Sequence, residues 1–205
     1  MSEKSAMKKI LYLMEIDWYW IKQRPQIIAE MLSADYDVTV VYHKEIFVKQ
    51  SLREEDDELE KSIPIPAIPY RDKNKVAYMV QKFFYHKIMK SIDQYDMVWI
   101  THPLLYRYIP KTYQGKIVYD CMDNHEALCS DKALCEVIRK TEKRLAAEAN
   151  IIFASSSGLK KKMEQMVDKG KTFLIRNGFI FDQIHSPRFS ICIFNINQHT
   201  EAVFK

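Results

Sequence analysis

Glycine is scarce in this chain, with only four among 205 residues. A loop that binds a pyrophosphate needs glycine, because the phosphates must approach backbone N–H groups without a Cβ in the way. The segment that follows the first apolar run, residues 15–20, contains no glycine and two acidic side chains. The sequence therefore lacks a good phosphate-binding loop where many nucleotide-binding α/β domains have one.

Cysteine pairs and long apolar runs are also missing. The four cysteines show no Cys-x-x-Cys spacing, which favours free thiols in a cytosolic protein. No window approaches the roughly 18 uncharged apolar residues of a membrane span, so no transmembrane helix is expected. Residues 1–4 include an acid and precede a predicted strand, which does not fit a signal peptide. We therefore expect a cytoplasmic protein.

Charge and metal-binding motifs exclude further classes. A net charge of +4 permits contact with an anionic surface but does not indicate nucleic acid as a partner. Asp120 and Asp123 are three positions apart, so the Asp-x-Asp metal motif is absent, and we expect no metal and no other cofactor. A hydrophobic content of 47% fits a packed globular chain.

Strand-like and helix-like segments alternate along the chain with short links. Strands are predicted at 10–14, 38–42, 97–101, 117–120, 151–154 and 172–175, and helices at 21–34, 75–92, 131–148 and 158–168. Three prolines within residues 63–69 remove backbone donors, which predicts an edge strand or an extended connector. Residues 53–61 are predicted as a solvated helix. The alternation predicts an α/β fold with a parallel sheet.

The alternating pattern ends after about Gly178. Residues 190–194 are compatible with one more strand, but residues 195–205 show no organised element. We therefore expect one domain over residues 1–180 and a linker remnant or irregular tail over residues 181–205.

Ionisable side chains follow two successive predicted strands. His102 follows the first of these strands, Asp120 ends the second, and Asp123 and His125 come after it. In an open parallel sheet the ligand crevice lies outside the carboxyl ends of the strands. These side chains are therefore expected to converge on one cleft.

Four motifs occur in a recognisable order: Trp20-x-x-Gln23-Arg24-Pro25-Gln26, Tyr119-Asp120-Cys121-Met122-Asp123-Asn124-His125, Phe153-Ala154-Ser155-Ser156 and Ile175-Arg176-Asn177-Gly178. In this order they resemble the N-terminal domain of GT-B glycosyltransferases of the family 4 type. The resemblance is closest to bacterial transferases of cell-surface polysaccharide assembly, such as teichuronic acid and capsule enzymes. It implies a Rossmann-like parallel sheet flanked by helices, the N-terminal half of a GT-B fold.

The resemblance also implies a second domain that this sequence does not show. Family members hold the nucleotide-sugar donor in a second Rossmann-like domain, with a glycine-rich loop and two glutamates eight positions apart. Neither feature occurs here. The chain therefore resembles a truncated transferase whose donor site is mostly missing. We expect it to be inactive alone, and a separately encoded donor-domain subunit is a candidate partner.

The resemblance gives chemical roles to the polar side chains. Glycosyl transfer needs an oriented or deprotonated acceptor oxygen, and carboxylates and imidazoles usually perform that task. We predict Asp120, Asp123 and His125 as catalytic residues. The alternative is that an aspartate caps the following helix or fixes the loop.

Nine further residues are predicted to contact substrate: Trp18, Trp20, Gln23, Arg24, His102, Asn124, Arg176, Asn177 and Gly178. Aromatic faces suit the C–H faces of a pyranose, and arginine pairs with phosphate. Structural alternatives remain open. They are core packing for the tryptophans, a surface salt bridge for Arg24, a backbone-bonded loop histidine for His102 and a plain turn for residues 176–178.

The predicted helix at residues 75–92 has two interpretations. No acid occurs between Lys73 and Ile92, and the lysines of this helix with its two phenylalanines suit peripheral contact with an anionic membrane through residues 75–90. That contact would place the protein at the inner face of the plasma membrane. We favour the ordinary alternative, an apolar face packed on the sheet with lysines in water. That apolar face comprises Val76, Met79, Val80, Phe83, Phe84 and Ile88.

Two functions of different classes follow. The first is a glycosyltransferase, or its acceptor-binding half, that transfers a sugar from a nucleotide-sugar to a sugar or lipid-linked acceptor in bacterial surface polysaccharide synthesis. The second is a non-catalytic Rossmann-like module that binds a sugar or a partner, or one subunit of a split transferase. The sequence leaves the sugar, the nucleotide and the stereochemical outcome open.

Overall fold

A computed structural model of the chain describes residues 7–46 and 61–177. The strands are Lys9–Met14 (β1), Asp37–Glu45 (β2), Ser62–Ala67 (β3), Met97–Ile100 (β4), Lys116–Cys121 (β5), Ile151–Ala154 (β6) and Thr172–Leu174 (β7). The α-helices are Arg24–Ser33 (α1), Lys75–Lys90 (α2), His125–Leu128 (α3), Lys132–Glu148 (α4) and Ser157–Glu164 (α5). Short 3-10 helices lie at Ile92–Gln94, Pro103–Tyr108 and Lys169–Lys171.

The seven strands form one parallel sheet in the order β3-β2-β1-β4-β5-β6-β7. From β1, the chain first adds β2 and β3 on one side of the sheet. It then crosses back and adds β4 on the other side of β1, followed by β5, β6 and β7. At such a reversal the connections after β1 and β4 diverge and leave a crevice at the carboxyl ends. The predicted fold class, a Rossmann-like parallel sheet flanked by helices, is confirmed.

The proline-rich segment forms the edge of this sheet. Among the strands that the structure describes, β3 pairs only with β2, with Pro64 opposite Tyr42 and Pro66 opposite Lys44. Because the outer side of an edge strand needs no donors, proline is tolerated there. The predicted edge strand is therefore confirmed.

Side chains of the strands alternate between two cores. Ile10, Tyr12 and Met14 of β1 pack with α1 on one face, whereas Leu11 and Leu13 contribute to the core under α2, α4 and α5 on the other. Both faces of the central strands are thus covered, as expected for a parallel sheet between helices.

Polar residues begin the helices on the second face. The side chains of Asn74, Asp131 and Ser156 accept hydrogen bonds from backbone N–H groups in the first turns of α2, α4 and α5. These bonds satisfy donors that the helices cannot pair internally. The predicted capping of the helix after β6 by the serine run is confirmed through Ser156.

The packing of α2 differs from the favoured prediction. Five of the six apolar residues expected on the sheet are exposed, namely Val76, Met79, Val80, Phe83 and Phe84. The buried side holds Gln81, Tyr85, Ile88 and Met89 instead. We call the five exposed side chains the outer face of α2.

Specific contacts explain why α2 turns this way. The Gln81 Oε1 accepts a hydrogen bond from the Ile68 N–H at 2.8 Å. The Tyr85 ring stacks on Tyr108 at 4.1 Å between centroids, and its hydroxyl lies 2.9 Å from His43 Nε2. The buried side of α2 is thus held by polar and ring contacts with distant segments, which its apolar periodicity does not predict.

Several predictions fall outside the described residues. They concern all but the last residue of the helix predicted at residues 53–61, the strand at residues 190–194, the tail at residues 181–205 and the turn at Gly178. Within the described ranges, no helix combines the length and apolar character needed to cross a bilayer.

Candidate functional site

Three ionisable side chains meet at the carboxyl ends of the central strands. Glu15 follows β1, His102 follows β4, and His125 begins α3 after β5. The Glu15 Oε2 lies 2.7 Å from His102 Nδ1. The rings of His102 and His125 meet at 4.2 Å between centroids, with 66° between their planes. The structure therefore brings the two predicted histidines together and adds a carboxylate that the motifs did not indicate.

Charge pairing keeps Glu15 ionised. Partial burial by itself would raise the carboxyl pKa, but His102, His43 and Arg71 outweigh it and hold the pKa of Glu15 well below its usual range. The Arg71 Nη2 donates to Glu15 Oε1 at 3.0 Å. Glu15 is thus an anion fixed between two basic groups at neutral pH.

The Glu15 carboxylate also orders the His102 ring. The His102 Nδ1 lies 3.2 Å from the Leu104 N–H and 2.7 Å from the Glu15 carboxylate, and one nitrogen cannot serve both as acceptor and as donor. The contact with the anion is shorter and charge-assisted, so we place the proton on Nδ1. His102 Nε2 is then directed away from Glu15.

His125 is a neutral imidazole. Burial lowers the pKa of His125 to about 3, and His102 acts in the same direction against a smaller opposing effect of Glu15. Its Nε2 is buried without a hydrogen-bond partner among the described residues. A base this weak accepts a hydrogen bond at neutral pH but takes up a proton poorly. His125 is therefore suited to hold the His102 ring in place and not to act as a general base.

Both histidines line a pocket of about 300 Å³, which we call the histidine pocket. Its other lining residues come from the loop before α2, the α3–α4 connection and α4: Lys73, Leu128, Cys129, Ser130, Asp131, Leu134 and Ile138. Lys73 Nζ and Asp131 Oδ2 form an ion pair at 2.9 Å. Polar and apolar side chains thus contribute about equally to the walls of this pocket.

Asp120 lies in a different environment. Arg24 donates to its carboxylate from Nε and Nη2, with the shortest distance 2.8 Å, and the Asp120 side chain is 0% exposed. Arg24 Nη1 also donates to the Ile175 carbonyl at 2.7 Å and to Asn177 Oδ1 at 3.2 Å. One arginine thus joins α1, β5 and the segment after β7. This geometry argues against direct contact of Asp120 with substrate and favours the loop-fixing alternative.

The two tryptophans separate in the same way. Trp18 is 1% exposed and belongs to the core under α1, so it cannot stack on a sugar; core packing is its role. Trp20 is 41% exposed and remains available to a ligand. Gln23 is exposed and precedes α1, where its backbone N–H is bonded by Gln26 Oε1 at 3.1 Å.

The other predicted site residues are exposed around this edge. Asp123 lies in the loop between β5 and α3. The neighbouring Asn124 accepts a hydrogen bond from Lys162 Nζ at 3.0 Å, which ties the loop to α5. Arg176 and Asn177 are exposed after β7. Their roles in catalysis or substrate binding stay predictions.

Metal ligands are not grouped here. Among the described residues, no three His, Cys, Asp or Glu side chains are placed to hold a metal ion. Cys121, Cys129 and Cys135 are free thiols.

No protein-family model matches the chain, and a search of curated proteins finds no related sequence. Solved structures share its fold. A sucrose-phosphate synthase from Thermosynechococcus elongatus is 13% identical with a TM-score of 0.63, over 97% of this chain and 100% of that one. HepE from Anabaena, in complex with UDP and glucose, is 15% identical with a TM-score of 0.56, over 96% of this chain and 51% of its own.

A lipopolysaccharide outer core galactosyltransferase, WaaB, is 11% identical with a TM-score of 0.54, over 86% of this chain and 47% of its own. This chain therefore spans about half the length of HepE and WaaB. Such low identities establish the fold, the Rossmann-like half of a GT-B architecture, and no more.

Proposed function

We propose that this chain is the acceptor-side half of a GT-B glycosyltransferase, which transfers a sugar from a nucleotide-sugar to an acceptor hydroxyl. The observation that carries the proposal is the contact of His102 with His125 at one pocket, where the strand order reverses and where Glu15 orders the His102 ring. Fold likeness alone does not give an activity. The proposed activity therefore also depends on the pocket at this position, whose ordered polar groups can bind an acceptor.

In this proposal the histidine pocket holds the acceptor. His125 packs against His102 at the wall of this pocket and limits the orientations that the acceptor can adopt. His102, oriented by Glu15, presents Nε2 to a hydroxyl of the acceptor. Asp123 is the candidate base, because its exposed carboxylate lies two positions before His125. Positioning of this kind lowers the barrier by reducing the entropy lost in the transition state.

The donor is a nucleotide-sugar, and its site lies mostly outside this half. The HepE structures contain UDP with glucose or UDP-glucose. Our chain has no glycine-rich loop to bind the diphosphate. We therefore propose that transfer requires a donor-binding partner domain or subunit and that the 205-residue chain alone is inactive.

The exposed outer face of α2 supports an acceptor that is lipid-linked, as in bacterial surface polysaccharide synthesis, because this face can contact the membrane that holds such an acceptor. Its apolar side chains lie among the lysines of α2, on a helix without acids. Such a surface is attracted to anionic lipids and gains free energy when its apolar groups enter the interface. We propose peripheral contact through residues 75–90 at the inner face of the plasma membrane.

A saccharide titration tests this function. Methyl glucoside, methyl galactoside and UDP are added separately to the chain with ¹³C-labelled histidines, and the ring resonances are recorded. The proposal expects a saccharide to shift His102 and His125 but not His86, which is exposed on α2. Equal shifts at all three histidines, or none with any saccharide, contradict an acceptor site.

The second candidate function, a non-catalytic sugar- or partner-binding module, predicts the same shifts. The two separate when a donor-binding domain of a GT-B transferase is added with UDP-sugar. Transfer that is lost in Asp123→Asn identifies the enzyme, whereas binding without transfer identifies the module.

A further inference from the structure

A second cavity lies away from the histidine pocket, between α2, the segment that follows β4, and α4. Its volume is about 570 Å³. It is lined by Tyr78, Lys82, Tyr85, His86, Met89, Tyr106, Arg107, Tyr108, Ile109, Pro110, Lys111, Thr141 and Arg144. None of these residues lines the histidine pocket. We call this second cavity the tyrosine pocket.

Stacked aromatic rings give the tyrosine pocket a fixed wall. Tyr108 stacks on Tyr85 with centroids 4.1 Å apart and on Tyr78 with centroids 5.8 Å apart. The Tyr78 hydroxyl donates to the Arg107 carbonyl at 3.3 Å, and the Arg107 guanidinium lies 4.9 Å from the Tyr78 ring centroid. Rings held on several sides keep the cavity open without a ligand.

Positive charge dominates the rim. Two of its walls come from acid-free sequence, since no Asp or Glu occurs between Lys73 and Ile92 or between Pro103 and Tyr119. Of its arginines, Arg107 pairs with Asp72, and the Arg144 guanidinium lies 5.9 Å from the Tyr106 ring centroid. Lys82 and Lys111 have no ion-pair partner in residues 7–46 and 61–177. The uncompensated lysines favour an anionic ligand.

The rim of the tyrosine pocket borders the outer face of α2. Met79, Lys82 and His86 are at positions i, i+3 and i+7 of the helix and share one side of it. Met79 belongs to the exposed apolar set, whereas Lys82 and His86 line the cavity. A surface that binds the outer face of α2 therefore also reaches the mouth of the tyrosine pocket.

We propose that the tyrosine pocket binds the phosphate-bearing headgroup of an anionic membrane lipid while the outer face of α2 enters the interface. Lys82 and Lys111 would pair with the phosphate, and the tyrosine rings would pack against the glycerol part. This inference rests on the membrane contact of the proposed function and is independent of sugar transfer. It adds a lipid site with a defined headgroup chemistry to a surface that otherwise contacts the membrane through unspecific charge and apolar insertion.

Vesicle flotation with matched charge removals tests the proposal. The full chain is mixed with vesicles of phosphatidylcholine alone or of equal parts phosphatidylcholine and phosphatidylglycerol. Lys82→Gln with Lys111→Gln alters the tyrosine pocket, whereas Lys87→Gln with Lys90→Gln removes the same charge from α2 outside it. Diffuse attraction of about 1 kcal/mol per lysine predicts an equal loss, about 25- to 30-fold, in both double variants.

We expect wild-type binding only to the phosphatidylglycerol vesicles and a loss at least tenfold greater in the pocket variant than in the matched control. Equal losses overturn the lipid site and leave a charged surface alone. Absence of wild-type binding overturns both the lipid site and the membrane contact, while the saccharide titration still decides the acceptor site.

A soluble ligand separates a lipid from a free phosphate compound. Glycerol 3-phosphate is titrated into the wild-type chain, with the amide resonances of Tyr106–Ile109 as the readout. The proposal expects weak binding, because the apolar contact of α2 is missing. Binding of glycerol 3-phosphate that is as tight as vesicle binding assigns the cavity to a soluble phosphate ligand and overturns the membrane role.

Discussion

Two acidic groups at the same edge of the sheet have opposite relations to solvent. The Asp120 carboxylate accepts hydrogen bonds from two nitrogens of Arg24, and its side chain is 0% exposed. The Glu15 side chain, beside His102, is 25% exposed. Both pairs join elements distant in sequence. The sealed pair fastens α1 to β5, while the open pair orders an imidazole at a pocket. Charge pairing alone therefore does not identify a functional group; what distinguishes Glu15 is that its partner His102 lines a pocket.

The largest expected effect breaks the sealed pair. Asp120→Asn keeps the shape but leaves the buried Arg24 guanidinium without its counter-charge, so the free energy of unfolding should fall by about 3–5 kcal/mol. Urea unfolding followed by circular dichroism measures it. Asp123→Asn, on the exposed loop, is the control and should change stability by less than about 0.5 kcal/mol. Similar losses in the two variants would show that Asp120 is not a structural anchor.

A smaller loss is expected from the open pair. Glu15→Gln removes an anion that is bonded to Arg71 and His102 but is partly hydrated, so unfolding should become easier by about 1–3 kcal/mol. The same variant frees the His102 ring, and saccharide-induced shifts at His102 should weaken. Unfolding and the histidine resonances are measured on one sample. If the His102 shifts persist at full size, Glu15 does not position this ring.

The pH dependence of stability distinguishes His125 from an ordinary histidine. Burial holds its pKa at about 3, whereas the pKa of a histidine in an unfolded chain is about 6.5. Between these values only the unfolded chain takes up the proton, so stability is lost as the pH falls. His125→Gln removes the contribution of this histidine to that loss. Below about pH 6 the free energy of unfolding of the variant should therefore rise, relative to that of the wild type, by about 1 kcal/mol for each unit by which the pH falls.

Chemical denaturation at a series of pH values measures the gain. His43 is present in both proteins and, through burial, has a pKa of about 4, so its acid sensitivity cancels in the difference. A stability difference that does not vary with pH would mean that His125 is not held neutral by burial.

The smallest change in stability is expected at Trp20, and Trp18 is its buried counterpart. Trp20→Ala should change the free energy of unfolding by less than about 0.5 kcal/mol, because the ring is 41% exposed. If Trp20 stacks on the acceptor, saccharide affinity falls about 2- to 12-fold, since an aromatic contact contributes about 0.5–1.5 kcal/mol. Unchanged affinity removes Trp20 from the site. Trp18→Ala, in the core, should instead destabilise the fold by about 3–5 kcal/mol.

Much of the fold was predictable from short stretches of sequence. The strands of the sheet, the proline-bearing edge at β3 and the cap at Ser156 depend on residues within a few positions of one another. The cluster after β4 and β5 was predictable as a location, because parallel strands place their carboxyl ends together. Of its members, the two histidines were predicted but Glu15 was not. Glu15 belongs to no motif, and its partner Arg71 lies 56 positions away in the sequence.

The sequence by itself determined the α/β class, the strand and helix segments and the edge of the sheet where polar groups gather. Only the tertiary structure decided that Asp120 is sealed by an arginine 96 positions earlier, and that the phenylalanines of α2 face outward. The physical reason is the range of the interactions. Periodicity and capping are local, whereas burial depends on which side chains the register of distant strands and helices brings into contact.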